Sequence, residues 1–396
     1  MHPINGKVAV IGVGWTNSTR RPVQSLGADG LEACLAAISD AGLKPSDIDG
    51  LCAAGSLGAS NISPQEGIGQ VTPRYMFKAL GLSGVNWTSD GTLLDAAEAV
   101  AAGSCDYALA WRCMTYPRGQ RYGAVDPGQA TGPSEFSYPY GYQISAAGAA
   151  GPPSRAVVYQ RYMEKYGATR DHMATFIIHN REMALLNEKS FWANERPEPL
   201  TKEDYLSSRM ISDPFCLYDC DIPVQACRAW VVTRAELAEN LPHSPAYLVG
   251  YVRGARPDLY QRGVLEEEQE GAIATANRLW QITGLKPKDV ATVNLYDGFS
   301  MFVYIWLEAL GYCKEGEAFE FIQNGRIGLQ GELPLCTSGG SLGEGRLWGS
   351  AQHMEAVLQA MGRAGDRQVK GNPIALSNFG PGVGGEIALF AGEPLK

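Results

Sequence analysis

The sequence predicts a duplicated, two-lobed α/β fold, and three observations lead there. The first is an internal repeat. Residues 42–48 read GLKPSDI and residues 284–290 read GLKPKDV, each after an alanine-rich amphipathic helix and before an apolar strand. Gly ends the helix, Pro prevents its resumption, and Asp precedes a strand bound for the core. The second is spacing: the copies lie far beyond a solenoid period of roughly 20–50 residues. The third is size. A chain of 396 residues, 45% hydrophobic and 19% charged, can bury one large core or two medium ones. The expected lobes are 1–240, with a substrate-wall insertion at about 115–215, and 241–396.

Taken in order, Lys7–Gly14 and Tyr107–Trp111 read as short buried strands. Leu93–Ala102 (LLDAAEAVAA) is a helix of small residues, suited to close approach deep in a core. From Asp126 to Tyr142 the chain is rich in Gly, Pro and aromatics (GPSEFSYPYGY) without a period, the composition of a lid or substrate wall. In the second lobe Ala246–Arg253 and Ile374–Phe390 are strand-rich, and His353–Met361 reads as a helix.

Charge and cysteine usage exclude several classes. The formal net charge is −9 and no Lys/Arg block occurs, so nucleic acid has no electrostatic footprint. The acidic balance also argues against an anionic membrane surface. No apolar run is long enough to span a bilayer, and MHPINGKVAVIGVG lacks the regions of a signal peptide. A cytoplasmic location is expected. The nine scattered cysteines suggest reduced thiols rather than a disulfide framework. Cys216, Cys220 and Cys227 cluster, but at no common zinc spacing, so no metal site is expected. None of the glycine-rich turns has the spacing of a nucleotide loop.

Several motifs resemble the thiolase superfamily, in particular its lipid-transfer-protein/thiolase-like branch. NLYDGFS (294–300) sits where that branch has a His-Asp-x-Phe motif. TSGGSLGEGRLWG (337–349) sits where thiolases carry Gly-Gly…Gly-His-Pro-x-Gly, and SNFGPGVGGEIALF (377–390) matches their C-terminal glycine-rich strand-turn-strand. HNREMALLN (179–187) also recurs in form. The resemblance covers most of the chain and implies a thiolase fold, a five-layered αβαβα arrangement of two similar lobes.

The departures point to different chemistry. A thiolase uses a nucleophilic Cys at the start of a buried helix; the matching segment here is NWTSDGTLLDAAEA, with Thr88 closest to that place. Thr88 is read as a pocket-lining hydroxyl or helix cap, and Asp90 as a helix-start carboxylate. The His that activates the thiolase Cys is Arg346, which stays protonated and is no ordinary base. The His of His-Asp-x-Phe is Tyr296. Nucleophile and base are missing together. A subgroup with this profile consists of bacterial aldolases that shorten steroid side chains, which also replace the motif His by Tyr. They carry a second Tyr at the position of Arg346.

That resemblance implies retro-aldol cleavage of a bulky β-hydroxyacyl-CoA, with no cofactor because the substrate is itself a CoA thioester. It also implies a homodimer joined through the first lobe's strands, paired with a small OB-fold acyl-CoA-binding protein in a heterotetramer. The candidate catalytic residues are Tyr296, Arg346, Asp297 and His353. A phenol beside a cation can carry a proton, and His353 is the alternative base. The candidate substrate-binding residues are Thr88, Ser338, Gly339, Gly340, Gly380, Gly382 and Trp348. The glycine turn at 379–385 is expected to hold the enolate oxygen. Phe136–Tyr142, Trp87 and Trp111 are further candidate pocket walls, Glu344 reads as a solvated loop carboxylate, and His172, His179 and His243 as helix-face and loop residues. Two other functions fit the same residues: an acyltransferase with an unusual nucleophile, or a non-catalytic lipid carrier or subunit.

Overall fold

The computed structural model describes residues 2–54, 71–115, 152–238, 241–254, 264–371, 373–379 and 386–396. The chain opens with β1 (Val8–Trp15), apolar on both faces and buried along nearly its whole length. Helix α1 (Leu26–Asp40) follows, its first turn capped by the Ser25 side chain, which accepts from the Ala28 N–H. Then come β2 (Gly50–Ala53), α2 (Pro73–Ala79), β3 (Trp87–Asp90), α3 (Leu93–Ala101) and β4 (Tyr107–Met114). Helices α4 (Pro152–Tyr166) and α5 (Arg170–Leu185) precede a small ribbon of β5 (Met210–Ser212) and β6 (Phe215–Cys216), and β7 (Ala226–Arg234) closes the first half. The second half runs β8 (Ala246–Arg253), α6 (Leu265–Thr283), β9 (Thr292–Asn294), α7 (Phe302–Leu310), α8 (Ser350–Met361), β10 (Ala375–Phe379) and β11 (Glu386–Ala391).

The repeated motif has one local structure in both places. Gly42 and Gly284 take left-handed φ values of +73° and +76°. Pro45 and Pro287 each open a short 3₁₀ turn. The Asp47 carboxylate accepts from the Lys44 N–H and Asp289 from the Lys286 N–H, both at 2.8 Å. The motif's Asp is therefore a cap that aims the chain into β2 or β9.

Nine strands form one mixed sheet in the order β3-β2-β4-β7-β1-β8-β11-β10-β9. The halves meet where β1 pairs antiparallel with β8, Ala9 opposite Tyr247 and Val10 opposite Ala246. Outward from this seam each half places its first strand, its last, its last but one, then its second; only the first half adds a further edge strand, β3. Pairing directions repeat as well, antiparallel for β1–β7 and β8–β11, parallel for β2–β4 and β9–β10.

Alternate residues of these strands feed different cores, which makes five layers. Ala9, Ile11, Leu109 and Val231 pack under α1 and α2. Val10, Ala110, Val232, Leu248 and Phe390 face α3 and α8, which lie between the halves. Val249, Leu376, Ile387 and Leu389 face α6 and α7, joined by α4 and α5. Every residue of α8 is buried. The cysteine cluster is split between layers, Cys216 and Cys220 on the α6/α7 side and Cys227 on the α1 side. Trp111 is no pocket wall: it is buried beneath α1, its indole N–H on the Val71 carbonyl at 2.7 Å. Trp87 packs against the central layer. Phe136–Tyr142 lies outside the described residues. No described helix is long and apolar enough to cross a membrane.

Candidate active site

Asp297 organises the site without facing a substrate. It is fully buried, and its carboxylate accepts from the Ser341 N–H (2.5 Å), the Leu342 N–H (3.3 Å), Gln352 Nε2 (2.9 Å) and Asn180 Nδ2 (2.7 Å). Burial pushes its carboxyl up to about 7 against the opposing pull of those backbone N–H groups. The geometry favours a positioning role over the catalytic one expected from the sequence, because both carboxylate oxygens are taken by the loop, α5 and α8. Gly340, at φ +61°, leaves no room for a Cβ beside that carboxylate, and a Cβ on Gly339 would meet the α5 backbone at Ala184. Ser338 is buried, its carbonyl held by Asn187 Nδ2 at 3.1 Å. These three residues build the loop. Gly380 and Gly382 lie outside the described residues.

Tyr296 follows β9 at the edge of this loop. It is 4% exposed, and its ring stands 6.1 Å from that of Phe302 and over Gly298, where a Cβ would strike the phenol. Its N–H donates to Asn378 Oδ1 at 2.5 Å. Arg346 is reached through Asp221. The Asp221 N–H donates to the Gly298 carbonyl at 3.0 Å, and its Oδ2 lies 3.5 Å from Arg346 Nε. The Arg346 N–H in turn donates to the Ile222 carbonyl at 2.7 Å. The two motifs therefore meet across one short bridge, Gly298–Asp221.

Trp348 stands between two guanidiniums, with Arg112 5.5 Å and Arg346 5.8 Å from its ring centroid. Its φ of +54° is unusual for a bulky residue and marks a strained turn into α8. Arg112 on β4 is the register partner of Arg228 on β7, and Arg228 is paired with Glu344. Glu344 is accordingly not a solvated loop carboxylate: Arg228 Nε donates to it at 3.1 Å inside the core.

His353 belongs elsewhere. Its Nδ1 is 2.7 Å from Ser377 Oγ, and its Nε2 is 3.9 Å from Glu386 Oε2. Glu386 also accepts from Thr92 Oγ1 at 2.7 Å and lies 3.2 Å from Arg253 Nη2. Successive side chains of a strand point to opposite faces, so Ser377 turns to His353 in the central layer and Asn378 to Tyr296. The strand separates the expected alternative base from the phenol. Thr88 is exposed on edge strand β3; the N-cap of α3 is Thr92, four residues on. His179 is buried with Nε2 2.6 Å from the Leu335 carbonyl, and burial lowers its pKa to about 4.

The Thiolase C-terminal domain-like family matches residues 264–388. A 17-hydroxy-3-oxo-4-pregnene-20-carboxyl-CoA lyase of Mycobacterium tuberculosis is 34% identical over 393 residues, 96% of this chain and 98% of that protein. The chain belongs to the thiolase superfamily. Within it, this thiolase-superfamily protein groups with the steroid side-chain-cleaving aldolases. One such aldolase, from Thermomonospora curvata, is 33% identical over 376 residues, 91% of this chain and 92% of its own. A solved structure described as an Ltp2-ChsH2(DUF35) aldolase superposes with a TM-score of 0.80 at 29% identity, covering 98% of both chains. Asp221, Arg112, Asn180, Gln352 and Asn378 were not read from the sequence. Asn180 and Asn378 fell within recognised segments, HNREMALLN and SNFGPGVGGEIALF, but were assigned no role there.

Proposed function

We propose that this chain is a carbon–carbon lyase that cleaves the side chain of a steroidal β-hydroxyacyl-CoA by a retro-aldol step. The observation that carries the reading is the Tyr296–Gly298–Asp221–Arg346 bridge, a phenol and a guanidinium in place of the thiolase histidines. In the reaction the β-hydroxyl loses its proton and the Cα–Cβ electron pair moves into the thioester as an enolate. The α-carbon then takes a proton, leaving a ketone and a shorter acyl-CoA. No acyl-enzyme forms, so loss of the thiolase Cys is tolerable. Tyr296 serves as the proton carrier, and Asp221 holds Arg346 beside the loop that bears it. The names of the two relatives above, a lyase and an aldolase, support the same chemistry.

The CoA thioester is the only non-protein group this reading needs. The Ltp2-ChsH2(DUF35) assembly supports a partner protein. We take it to be a small OB-fold acyl-CoA-binding chain, joined to a homodimer of this one in a cytoplasmic heterotetramer. The test is co-expression with the neighbouring gene product and incubation with 17-hydroxy-3-oxo-4-pregnene-20-carboxyl-CoA. Appearance of propanoyl-CoA and the 17-ketone by mass is the expected result. Intact thioester together with an acylated protein would turn the reading to an acyltransferase, and binding without turnover to a carrier.

A further inference from the structure

Asn378 stands at the end of β10, fully buried, with its side-chain amide against the backbone of Tyr296. The Tyr296 N–H can be accepted only by the amide oxygen, so the hydrogen bond at 2.5 Å fixes which way the amide is turned. Its Nδ2 is then left buried with no hydrogen-bond partner among the described residues. An unsatisfied buried donor costs about 1–3 kcal/mol, and such groups persist where something absent from the free protein completes them. The missing group must be an acceptor, because an amide nitrogen only donates. Asp297, the carboxylate nearest in sequence to Tyr296, is not that acceptor, since it is saturated by Ser341, Leu342, Gln352 and Asn180.

We propose that Asn378 is a catalytic residue whose Nδ2 donates to the thioester oxygen of the substrate and holds the enolate. The assignment rests on the lyase reading and deepens it. As the β-hydroxyl loses its proton and the Cα–Cβ bond breaks, the electron pair passes through the thioester carbon to its oxygen. The charge that develops there strengthens the hydrogen bond from Nδ2, so the donor favours the transition state over the bound substrate. The same amide, through Oδ1, fixes the backbone of Tyr296. One side chain thus sets the distance between the proton carrier and the enolate oxygen.

The enolate can be reached from the product side, which separates this assignment from the cleavage reaction. Propanoyl-CoA in D₂O should exchange its α-protons on the wild-type protein with its co-expressed partner. Asn378→Asp keeps an acceptor for the Tyr296 N–H and removes the donor. Its exchange kcat should fall about 10²- to 10³-fold with little change in KM. Activity should recover as the pH is lowered and the introduced carboxyl gains an O–H, which a merely structural role would not produce. Independently of any variant, the carbonyl stretch of bound propanoyl-CoA should move to lower frequency in the infrared spectrum of the wild-type complex.

An unshifted carbonyl band overturns the proposal, as does an Asn378→Asp exchange rate within about threefold of wild type. Wild-type cleavage of the steroid thioester with Asn378→Asp equally active removes Asn378 and leaves the lyase reading standing. Asn378-dependent exchange without any steroid cleavage does the reverse. A wild-type complex that neither cleaves nor exchanges removes both.

Discussion

Asp221 places its carboxylate 3.5 Å from Arg346 Nε while its own N–H holds the carbonyl of Gly298, two residues after Tyr296. One residue from the first half thereby couples two motifs of the second. Asp221→Asn should keep the backbone link and remove the charge beside Arg346. The expected loss in kcat/KM for the steroid thioester is about 10- to 100-fold, about 1.4 to 2.7 kcal/mol of transition-state stabilisation lost when the ion pair that holds Arg346 is removed. Unchanged kinetics would mean that Arg346 needs no anchor.

Tyr296→Phe removes only the phenol hydroxyl and leaves the ring on Phe302. C–C cleavage should fall about 10²- to 10⁴-fold. The melting temperature should move by no more than about 2 °C. Product mass measured alongside thermal unfolding checks both halves of this expectation.

Asp297→Asn turns an amide N–H₂ toward donors that now meet a carboxylate. It should destabilise the fold by about 3 kcal/mol in urea unfolding and abolish activity as the 337–349 loop loses its register. The pH dependence has a definite sign. The folded carboxyl sits at about 7 against an ordinary value of 3.8, so the folded chain binds this proton more tightly than the unfolded chain does. Wild-type stability from this group is highest below that window, falls as the pH rises through it and levels off above it. The wild type's advantage over Asp297→Asn should therefore shrink from acid toward neutral pH.

Glu344→Gln leaves the Arg228 guanidinium, 0% exposed, without its counter-charge. Removing one partner of a buried pair costs about 3–5 kcal/mol, and urea unfolding should show a loss of that order. Activity should fall too, since Arg346 and Trp348 lie two and four residues further along the loop.

Thr88→Ala should leave cleavage unchanged and stability within about 0.5 kcal/mol, as for an ordinary surface position. Thr92→Ala should cost about 1 kcal/mol through loss of the α3 cap. A Thr88 variant that stopped cleavage would reopen the case for a nucleophile at that place.

What the sequence determined by itself was everything carried by local pattern. GLKPSDI and GLKPKDV specify the same Gly, Pro and Asp turn wherever they occur, so the duplication was legible. The Tyr296 and Arg346 replacements were legible because each sits inside a motif with fixed spacing. Tertiary structure alone decided which side chains face one another. The faces of β10 set His353 apart from Tyr296, and the two-residue turn between β3 and α3 put the helix cap at Thr92 rather than Thr88. Asp221 and Arg112 carry no motif, and Asn378 sits in the glycine-rich one without a legible role; they reach the site because Cys220 bridges to Phe299, β4 pairs with β7, and β10 pairs with β9, which leads into Tyr296. Contacts of that kind depend on strand order and register, which no short stretch of residues encodes.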